Sequence, residues 1–278
     1  MLSNCYECCQ THWFLDLQFH VDDISFCFSV ITFVKIIRMN KTKVLTEIYD
    51  SLFKSFGKQY WWPGDTGFEV VIGAILTQNT NWTNVEKAIK NLKAAKVFTP
   101  RKLYEIDIEG LAELIKPSGY FNVKAKRLKH FIEWLFLNYD GSLSKLFKLD
   151  YAALREQLLS VNGIGRETAD SIILYAAEKP TFVVDAYTKR VLVRHGLITE
   201  DYDYDAIKAV FEDNLSQDVS LYNEYHALIV MVGKYYCKPK MQCEECPLEN
   251  VHRSPDKRHR GDEDAKRVKV RKSSKRRR

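Results

Sequence analysis

The sequence offers no apolar stretch that could cross a membrane. The apolar run Ile24–Val34 has eleven residues, whereas a spanning helix needs about twenty. Asp22 and Asp23 precede the run and no Lys or Arg lies upstream of it, which is the wrong charge pattern for a secretory signal peptide. Neither a membrane segment nor export is expected, and a cytoplasmic location is predicted.

The alternation of apolar and polar residues that marks β-strands is nearly absent, and no internal repeat occurs. Apolar residues recur at three- and four-residue spacing, which predicts amphipathic helices. Thr66 and Glu69 carry the sequence of a capping box, and Thr99 precedes Pro100 at a first helical position. The chain is therefore predicted to be all-α, with helices at Leu45–Phe56, Phe68–Leu76, Val85–Leu92, Leu103–Ile115, Ala125–Leu137, Leu154–Leu159, Glu167–Ala177, Tyr187–His195, Tyr204–Leu215 and Leu221–Tyr236.

Net positive charge is lacking outside the C-terminal tail. The net charge is +6, but thirteen Lys and Arg against four Asp and Glu fall from Arg253 onward, which leaves the rest of the chain at −3. Such a body can bind nucleic acid only through locally placed cations and amides. The tail, expected to be disordered, is either a solvated charge run or a salt-sensitive tether to DNA phosphates.

The seven cysteines indicate no disulfide framework, which suits a reducing cytosol. Cys5, Cys8 and Cys9 cluster without a matching second half nearby, so they are expected to carry no function rather than to bind a metal. A clean amphipathic pattern begins only after Met39, and residues 1–38 are expected to be an extension upstream of the physiological start.

The most informative pattern lies between Leu158 and Val191. Gly163 and Gly165 stand two apart between two helical patterns, where glycine tolerates the backbone angles of a tight turn. The helix that follows presents unpaired N–H groups and the positive end of its dipole, which favour a nucleic-acid phosphate. Farther on, Asp185 is an isolated acid inside an apolar run, eighteen residues after Glu167.

This order of residues resembles the helix-hairpin-helix (HhH-GPD) DNA glycosylase superfamily in its endonuclease III-related branch. The resemblance covers about residues 39–248 and rests on Gly163, Gly165, Pro180, Asp185 and the stretches 73–80 (GAILTQNT) and 117–127 (PSGYFNVKAKR). It implies two helical lobes with the active site in the cleft between them. The implied parts are a terminal lobe from 39–65 and 183–236, a six-helix lobe at 66–182 with the helix-hairpin-helix at about 154–177, a Cys loop at 237–252 and the basic tail at 253–278.

Asp185 is the predicted catalytic residue. Breaking an N-glycosidic bond builds positive charge on the sugar, so a fixed carboxylate beside C1′ stabilises the transition state and can orient the attacking water. A purely structural alternative is that Asp185 caps the helix starting near Ala186. Both roles can hold at once.

Glu167 is the informative departure from the family pattern. Bifunctional members of the branch hold at this position a lysine that attacks the sugar and forms a Schiff base, and a carboxylate cannot form an imine. The pattern is most similar to the endonuclease III-type 3-methyladenine glycosylases, which leave the strand intact. Glu167 is left with three roles: repelling phosphate, hydrogen bonding to a base edge, or pairing with Arg166 or a lysine.

The resemblance also implies residues that contact DNA and the extruded base. Predicted DNA contacts are Gly163, Ile164, Gly165 and Arg166 in the hairpin, with Gln78 filling the gap that a flipped base leaves; Gln78 is alternatively only a helix-end polar residue. Aromatic faces suit a cationic N-alkylated purine. The predicted base pocket is Trp61, Trp62 and Trp82, with only one of Trp61 and Trp62 expected to touch the base and a core plug as the alternative.

Three cysteines near the C-terminus are close to the iron–sulfur loop of the branch, C-x6-C-x2-C-x5-C. Cys237, Cys243 and Cys246 give C-x5-C-x2-C, and His252 stands where the fourth cysteine is expected. Such a set could hold a [4Fe–4S] cluster or a zinc ion. The alternative is a degenerate loop held by packing, with reduced thiols.

The function these residues favour is that of a monofunctional DNA N-glycosylase that acts as a monomer on double-stranded DNA. Its expected substrate is a flipped damaged base, with an alkylated purine favoured. The alternatives are a mismatch glycosylase, a bifunctional glycosylase/AP lyase in which Lys189 or Lys234 replaces the absent amine, and a non-catalytic helix-hairpin-helix DNA-binding protein in which Asp185 only caps.

Overall fold

The structure, a computed structural model, describes residues 41–62 and 64–251. Every regular element in these ranges is a helix, which confirms the predicted all-α class. The predictions for residues 1–38, for His252 and for the tail 253–278 lie outside the described residues. The helices are α1 41–56, α2 Gly67–Leu76, α3 Trp82–Ala94, α4 Pro100–Glu105, α5 Ile108–Leu114, α6 Phe121–Tyr139, α7 Leu143–Leu146, α8 Tyr151–Leu159, α9 Arg166–Tyr175, α10 Ala186–Arg194, α11 Tyr204–Glu212 and α12 Val219–Tyr235, with a 3-10 turn at Lys116–Ser118.

The start of α2 follows the sequence signal in part. Thr66 is the N-cap, and its hydroxyl accepts from the Glu69 N–H at 3.1 Å. The Glu69 carboxylate, which would complete a capping box, pairs with Lys93 Nζ at 2.7 Å. The side chain of Glu69 thereby ties α2 to α3.

The segment predicted as one helix from Leu103 to Ile115 is two helices, so the lobe predicted to have six helices contains additional short ones. The break has a local cause. Ile106 adopts extended backbone angles, and the Asp107 carboxylate accepts from the Gly110 N–H at 2.6 Å. An aspartate that caps a new helix end competes with continuation of the previous helix.

Two hydrophobic cores divide the described chain. The first is enclosed by α2 to α9 and buries side chains such as Ile72, Leu128 and Phe131. The second is formed by α1, the segment 182–184, α10 to α12 and Leu248. The chain therefore has the two-lobe arrangement that was expected, while the boundary residues of the lobes stay a prediction.

Helix α9 belongs to both cores. Ile172 and Ile173 point into the first core and Leu174 and Tyr175 into the second, and α9 packs against α2 and α8 as well as α12. Its N-terminus is the glycine hairpin. This shared helix therefore brings the hairpin close to the segment that carries Asp185. None of the described helices combines the length and apolarity needed to cross a membrane.

Candidate active site

The hairpin gives α9 an open N-terminus. Gly163 has φ +93°, a left-handed conformation that favours glycine. Gly165 is the N-cap and supplies no side chain, and a Cβ added there would meet nothing within 4 Å. The first N–H groups of α9 therefore receive no side-chain cap from Gly165, as an anion site at a helix N-terminus requires.

Gln78 lies against this hairpin. Its Nε2 donates to the Gly163 carbonyl at 3.1 Å and to Thr168 Oγ1 at 2.9 Å, and Arg127 Nη1 donates to its Oε1. The turn after α2 is thus joined to the hairpin through one amide side chain. Gln78 has to release these bonds before it can enter a DNA stack.

The other two predicted hairpin contacts are engaged within the protein. Ile164 is 5% exposed, so its side chain belongs to the core, and its N–H donates to the Val161 carbonyl at 3.0 Å; a contact of Ile164 with DNA stays a prediction. The Arg166 guanidinium forms ion pairs with Asp203 at 3.3 Å and Asp205 at 3.1 Å. Arg166 therefore does not pair with Glu167, one of the partners left open for that acid.

Asp185 is the N-cap of α10 and lies at the boundary of the two lobes. Its Oδ1 accepts from the Thr188 N–H at 2.7 Å and from the Thr188 hydroxyl at 2.9 Å. Its Oδ2 lies 3.7 Å from His226 Nε2, and 13% of its side chain is exposed. Capping is thus observed, and it fixes one oxygen while the second faces a histidine.

The surroundings of Asp185 favour its ionised form. Burial alone would raise the pKa of this carboxyl, but His226 and the Thr188 hydrogen bonds outweigh burial and hold the pKa below its ordinary value. At neutral pH Asp185 is therefore a carboxylate that can stabilise positive charge.

Glu167 is oriented towards the same region but has the opposite electrostatic character. Removal of solvent by the surrounding protein, followed by the negative charge of Asp185, raises the pKa of Glu167 to about 7, while His226 opposes the shift. The side chain is nevertheless exposed, so water can reach it. The two neighbouring acids thus differ in protonation behaviour, which is common at catalytic sites.

Aromatic side chains cover the other side of this region. Trp62 packs edge to face with Trp61 and with Trp82, at centroid distances of 5.8 and 5.2 Å, and lies 5.0 Å from the Tyr175 ring. Gly73 of α2 leaves room for this stacking, since an added Cβ would lie 3.2 Å from Trp82. The structure brings the three predicted tryptophans together where the two cores meet. All three remain half-buried.

The described cysteines do not form a metal centre. Cys237 and Cys243 are free thiols, and Cys243 is exposed. Across residues 41–62 and 64–251 no group of three or more His, Cys, Asp and Glu side chains is arranged to hold a metal ion. Arg194 instead donates to Cys237 Sγ at 3.2 Å. The described residues therefore do not fit a [4Fe–4S] cluster or a zinc ion by themselves, and the set with His252 stays a prediction.

The sequence interpretation missed His226 and Tyr175. His226 lies on α12 and Tyr175 on α9, and the Tyr175 hydroxyl is 2.6 Å from His226 Nδ1. These residues are 51 positions apart, and each is one more position in an amphipathic helix. No spacing in the sequence marks them, because their partners come together only through tertiary packing.

The sequence and fold can be compared with known proteins. Residues 72–217 match the family described as HhH-GPD superfamily base excision DNA repair protein. MJ1434 of Methanocaldococcus jannaschii, provisionally named a DNA repair glycosylase, is 49% identical over 211 residues, which cover 75% of this chain and 96% of that protein. Endonuclease III of Thermotoga maritima is 31% identical over 188 residues, with 66% of this chain and 81% of that protein covered.

A solved structure shows the same fold. The H. pylori 3-methyladenine DNA glycosylase MagIII, bound to 1,N6-ethenoadenine, aligns with a TM-score of 0.59 at 31% identity and covers 70% of this chain and 97% of that chain. The family match includes the turn with Gln78, the hairpin, α9 and Asp185. The chain therefore belongs to the HhH-GPD superfamily of base excision DNA repair proteins, among the glycosylases related to endonuclease III.

Proposed function

We propose that the protein is a monofunctional DNA N-glycosylase that hydrolyses the bond between the sugar and a flipped, damaged purine. The observation that carries the proposal is the ionised Asp185, fixed by Thr188 at the boundary of the lobes and close to both the open hairpin and the tryptophans. A DNA-binding module without catalysis also uses such a hairpin, but it needs neither an aromatic base pocket nor a residue that fills the gap left by a flipped base.

Asp185 supplies the electrostatic part of the reaction. As the glycosidic bond lengthens, positive charge grows on the sugar, and a carboxylate already fixed in place stabilises it without reorganisation. The carboxylate can also orient the water that attacks C1′. The bonding electron pair leaves with the base, so a cationic N-alkylated purine departs as a neutral molecule; water forms the new C1′–O bond and releases one proton to solvent.

The open N-terminus of α9 supports binding of the DNA backbone. Phosphate oxygens fit the N–H groups near Gly165, and Gln78 would occupy the gap in the stack once it releases its bonds to Gly163 and Thr168. Only local features are available for this contact, because the net positive charge of the chain lies in the tail.

The aromatic set supports an alkylated or otherwise damaged purine as the substrate. An N-alkylated purine is cationic, and indole faces attract cations more strongly than neutral bases. MagIII, similar in sequence over most of its length, is named a 3-methyladenine glycosylase and was solved with 1,N6-ethenoadenine. Trp62 packs against Trp61, Trp82 and Tyr175, and that only one of Trp61 and Trp62 contacts the base stays a prediction.

Glu167 argues against an AP lyase step. The substitutes for the absent amine are both engaged elsewhere: Lys189 Nζ donates to the Tyr202 carbonyl at 2.8 Å, and Lys234 lies over the Tyr235 ring at 5.5 Å. A Schiff base needs a free amine next to C1′, which Glu167 does not offer.

The deciding experiment is a single-turnover excision assay on duplexes that carry 3-methyladenine, 7-methylguanine, hypoxanthine, uracil or thymine glycol. We expect release of the methylated purines, and an Asp185→Asn variant that binds the same DNA but releases base about 100- to 1,000-fold more slowly. Preferred release of thymine glycol would indicate an oxidised-pyrimidine glycosylase. Equal rates for Asp185→Asn and wild type would overturn the mechanism.

Borohydride trapping on abasic DNA tests the lyase step separately. The wild type is expected to give no covalent adduct, and Glu167→Lys is the matched variant that restores an amine at this position. An adduct with the wild type that disappears in Lys189→Met would instead establish a bifunctional enzyme.

A further inference from the structure

Two buried polar atoms near Asp185 have no hydrogen-bond partner. They are Trp61 Nε1 and His226 Nε2. Tyr175 lies between them, because its hydroxyl is 2.6 Å from His226 Nδ1 and the Trp61 indole N–H lies near the same hydroxyl without reaching hydrogen-bond geometry. Buried donors without partners are uncommon in proteins and call for an explanation.

The direction of the hydrogen bond between Tyr175 and His226 follows from their surroundings. Burial and the negative charge of Asp185 hold the pKa of Tyr175 well above its ordinary value, so the phenol keeps its proton. If that proton is donated to His226 Nδ1, the imidazole carries its own proton on Nε2. The opposite tautomer would set the Nε2 lone pair against the Asp185 carboxylate, which is repulsive. The geometry therefore favours Nε2–H directed at Asp185.

The two oxygens of Asp185 are consequently held differently. Oδ1 already accepts two hydrogen bonds from Thr188. Oδ2 faces His226 Nε2 at 3.7 Å, a few tenths of an ångström beyond hydrogen-bond distance. One contact from His226 leaves the remaining lone pair of Oδ2 for the sugar or the attacking water.

We propose that Tyr175 and His226 are positioning residues that orient Oδ2 of Asp185, and that Trp61 links them to the base pocket. The inference rests on the proposed catalytic role of Asp185. Tyr175 fixes the tautomer of His226, and His226 donates to Oδ2. Two contacts in this chain of polar groups do not reach hydrogen-bond geometry: the one between the Trp61 indole N–H and the Tyr175 hydroxyl, and the one between His226 Nε2 and Asp185 Oδ2. They lie at its opposite ends.

The tautomer can be measured without any substrate. In protein labelled with 15N-histidine, long-range proton–nitrogen correlation is expected to show His226 unprotonated at Nδ1 and protonated at Nε2. Tyr175→Phe is expected to shift His226 towards a mixture of tautomers. A proton found on Nδ1 of His226 in the wild type would overturn the proposal, whatever the enzyme excises.

The kinetic test uses matched variants. Tyr175→Phe is expected to slow single-turnover base release about tenfold and His226→Leu about 10- to 100-fold, the range for loss of a hydrogen bond to a charged group. His226→Gln retains a donor near the Nε2 position and is expected to recover most of the rate. The affinity for an uncleavable abasic-site duplex and the melting temperature are expected to stay close to those of the wild type.

Tyr222→Phe is the control for the removal of a buried hydroxyl. Tyr222 lies on α12, as His226 does, and is fully buried. Its hydroxyl has no partner among the described residues, so removal of this hydroxyl should leave the excision rate unchanged. Wild-type rates in both Tyr175→Phe and His226→Leu, alongside a defective Asp185→Asn, would overturn the positioning role and leave the proposed function intact. A Gln variant as slow as the Leu variant would also contradict it. Wild-type rates in Asp185→Asn would remove the proposed function instead.

Discussion

Asp170 and Glu167 are two acids on α9 that differ in burial and in ion-pair partners. Asp170 is fully buried and receives two hydrogen bonds from Arg155, at 2.8 and 3.2 Å, with Lys208 at 3.7 Å. Glu167, one turn earlier, has no ion-pair partner among the described residues, and its pKa is raised to about 7. Burial of a carboxylate without a cation is costly; Arg155 and Lys208 offset that cost at Asp170, whereas the side chain of Glu167 is exposed.

This difference separates the structural role of Asp170 from the position of Glu167 at the candidate active site. Asp170 is the centre of a network in which Arg155 of α8 also reaches Asp205 of α11 at 2.8 Å, and Lys208 reaches Glu212 at 3.4 Å. That network ties the two lobes together. Glu167, one turn nearer the hairpin, takes no part in this network and lies close enough to Asp185 for the two charges to interact, a position in which a substrate could supply a partner.

The largest effect is expected from neutralising the paired acid. Asp170→Asn leaves Arg155 and Lys208 without a buried counter-charge and is predicted to lower the free energy of unfolding by about 3 kcal/mol. Urea denaturation measures this loss. The matched control, Asp205→Asn, alters an acid whose side chain is 45% exposed and should cost less than about 1 kcal/mol. Equal losses in the two variants would show that the network is not centred on Asp170.

Two substitutions in the hairpin can separate an effect on stability from an effect on DNA binding. Gly163→Ala places a Cβ 2.4 Å from Arg127 Cγ at φ +93°, and a loss of about 2 kcal/mol is expected. Gly165→Ala meets nothing within 4 Å, so its stability should change by less than about 0.5 kcal/mol. We expect both variants to bind duplex DNA more weakly in fluorescence anisotropy. Normal DNA affinity of Gly165→Ala would contradict close approach of phosphate at this helix end.

Much of the fold could be predicted because its signals are local. The capping threonine of α2, the glycine hairpin and the helical spacing each depend on residues a few positions apart. Where a second local signal competes, as at Asp107, the boundary was wrong. The residue that caps α5 divided what the apolar spacing presented as one helix.

The rest of the site could not be predicted because it is made by distant partners. Asp185 was identified from its position in a family pattern, but His226, which faces it, comes from another helix. Gln78 was expected to be available for DNA, whereas it is held by Arg127, 49 positions away. Spacing shows which residues share a face of a helix, but not which residues of another helix they meet.

A smaller effect is expected at the unpaired acid. Because the folded pKa of Glu167 is raised to about 7, the folded state binds a proton more tightly than the unfolded state, whose ordinary value is 4.5. The stability that this proton contributes is complete below pH 4.5 and is lost as the pH rises through 7. Glu167→Gln should therefore gain stability over the wild type across that interval, by less than about 1 kcal/mol because solvent screens the exposed group.

Glu105→Gln is the control of opposite sign. Hydrogen bonds from Arg101 and Lys102 lower the pKa of Glu105, so its contribution to stability is present above its unfolded pKa and is lost as the pH falls. The free energy of unfolding of the wild type should therefore increase relative to that of this variant as the pH rises. Denaturation series between pH 4 and pH 8 measure both differences. A Glu167→Gln curve that follows the wild type at every pH would mean that Glu167 is ordinarily hydrated.

The smallest effect is expected at Arg166. Substitutions at and around it distinguish a cation that is held by neighbouring acids from one that is free to bind phosphate. Because Asp203 and Asp205 already neutralise it, Arg166→Ala should change the stability by less than about 0.5 kcal/mol and leave the salt dependence of DNA binding nearly unchanged. Asp203→Asn combined with Asp205→Asn frees the guanidinium, while asparagine keeps the N-cap of α11. The slope of the logarithm of affinity against the logarithm of salt concentration should then steepen by about one. If Arg166→Ala alone made that slope shallower by one, the result would show that Arg166 of the wild type leaves Asp203 and Asp205 and contacts phosphate when DNA binds.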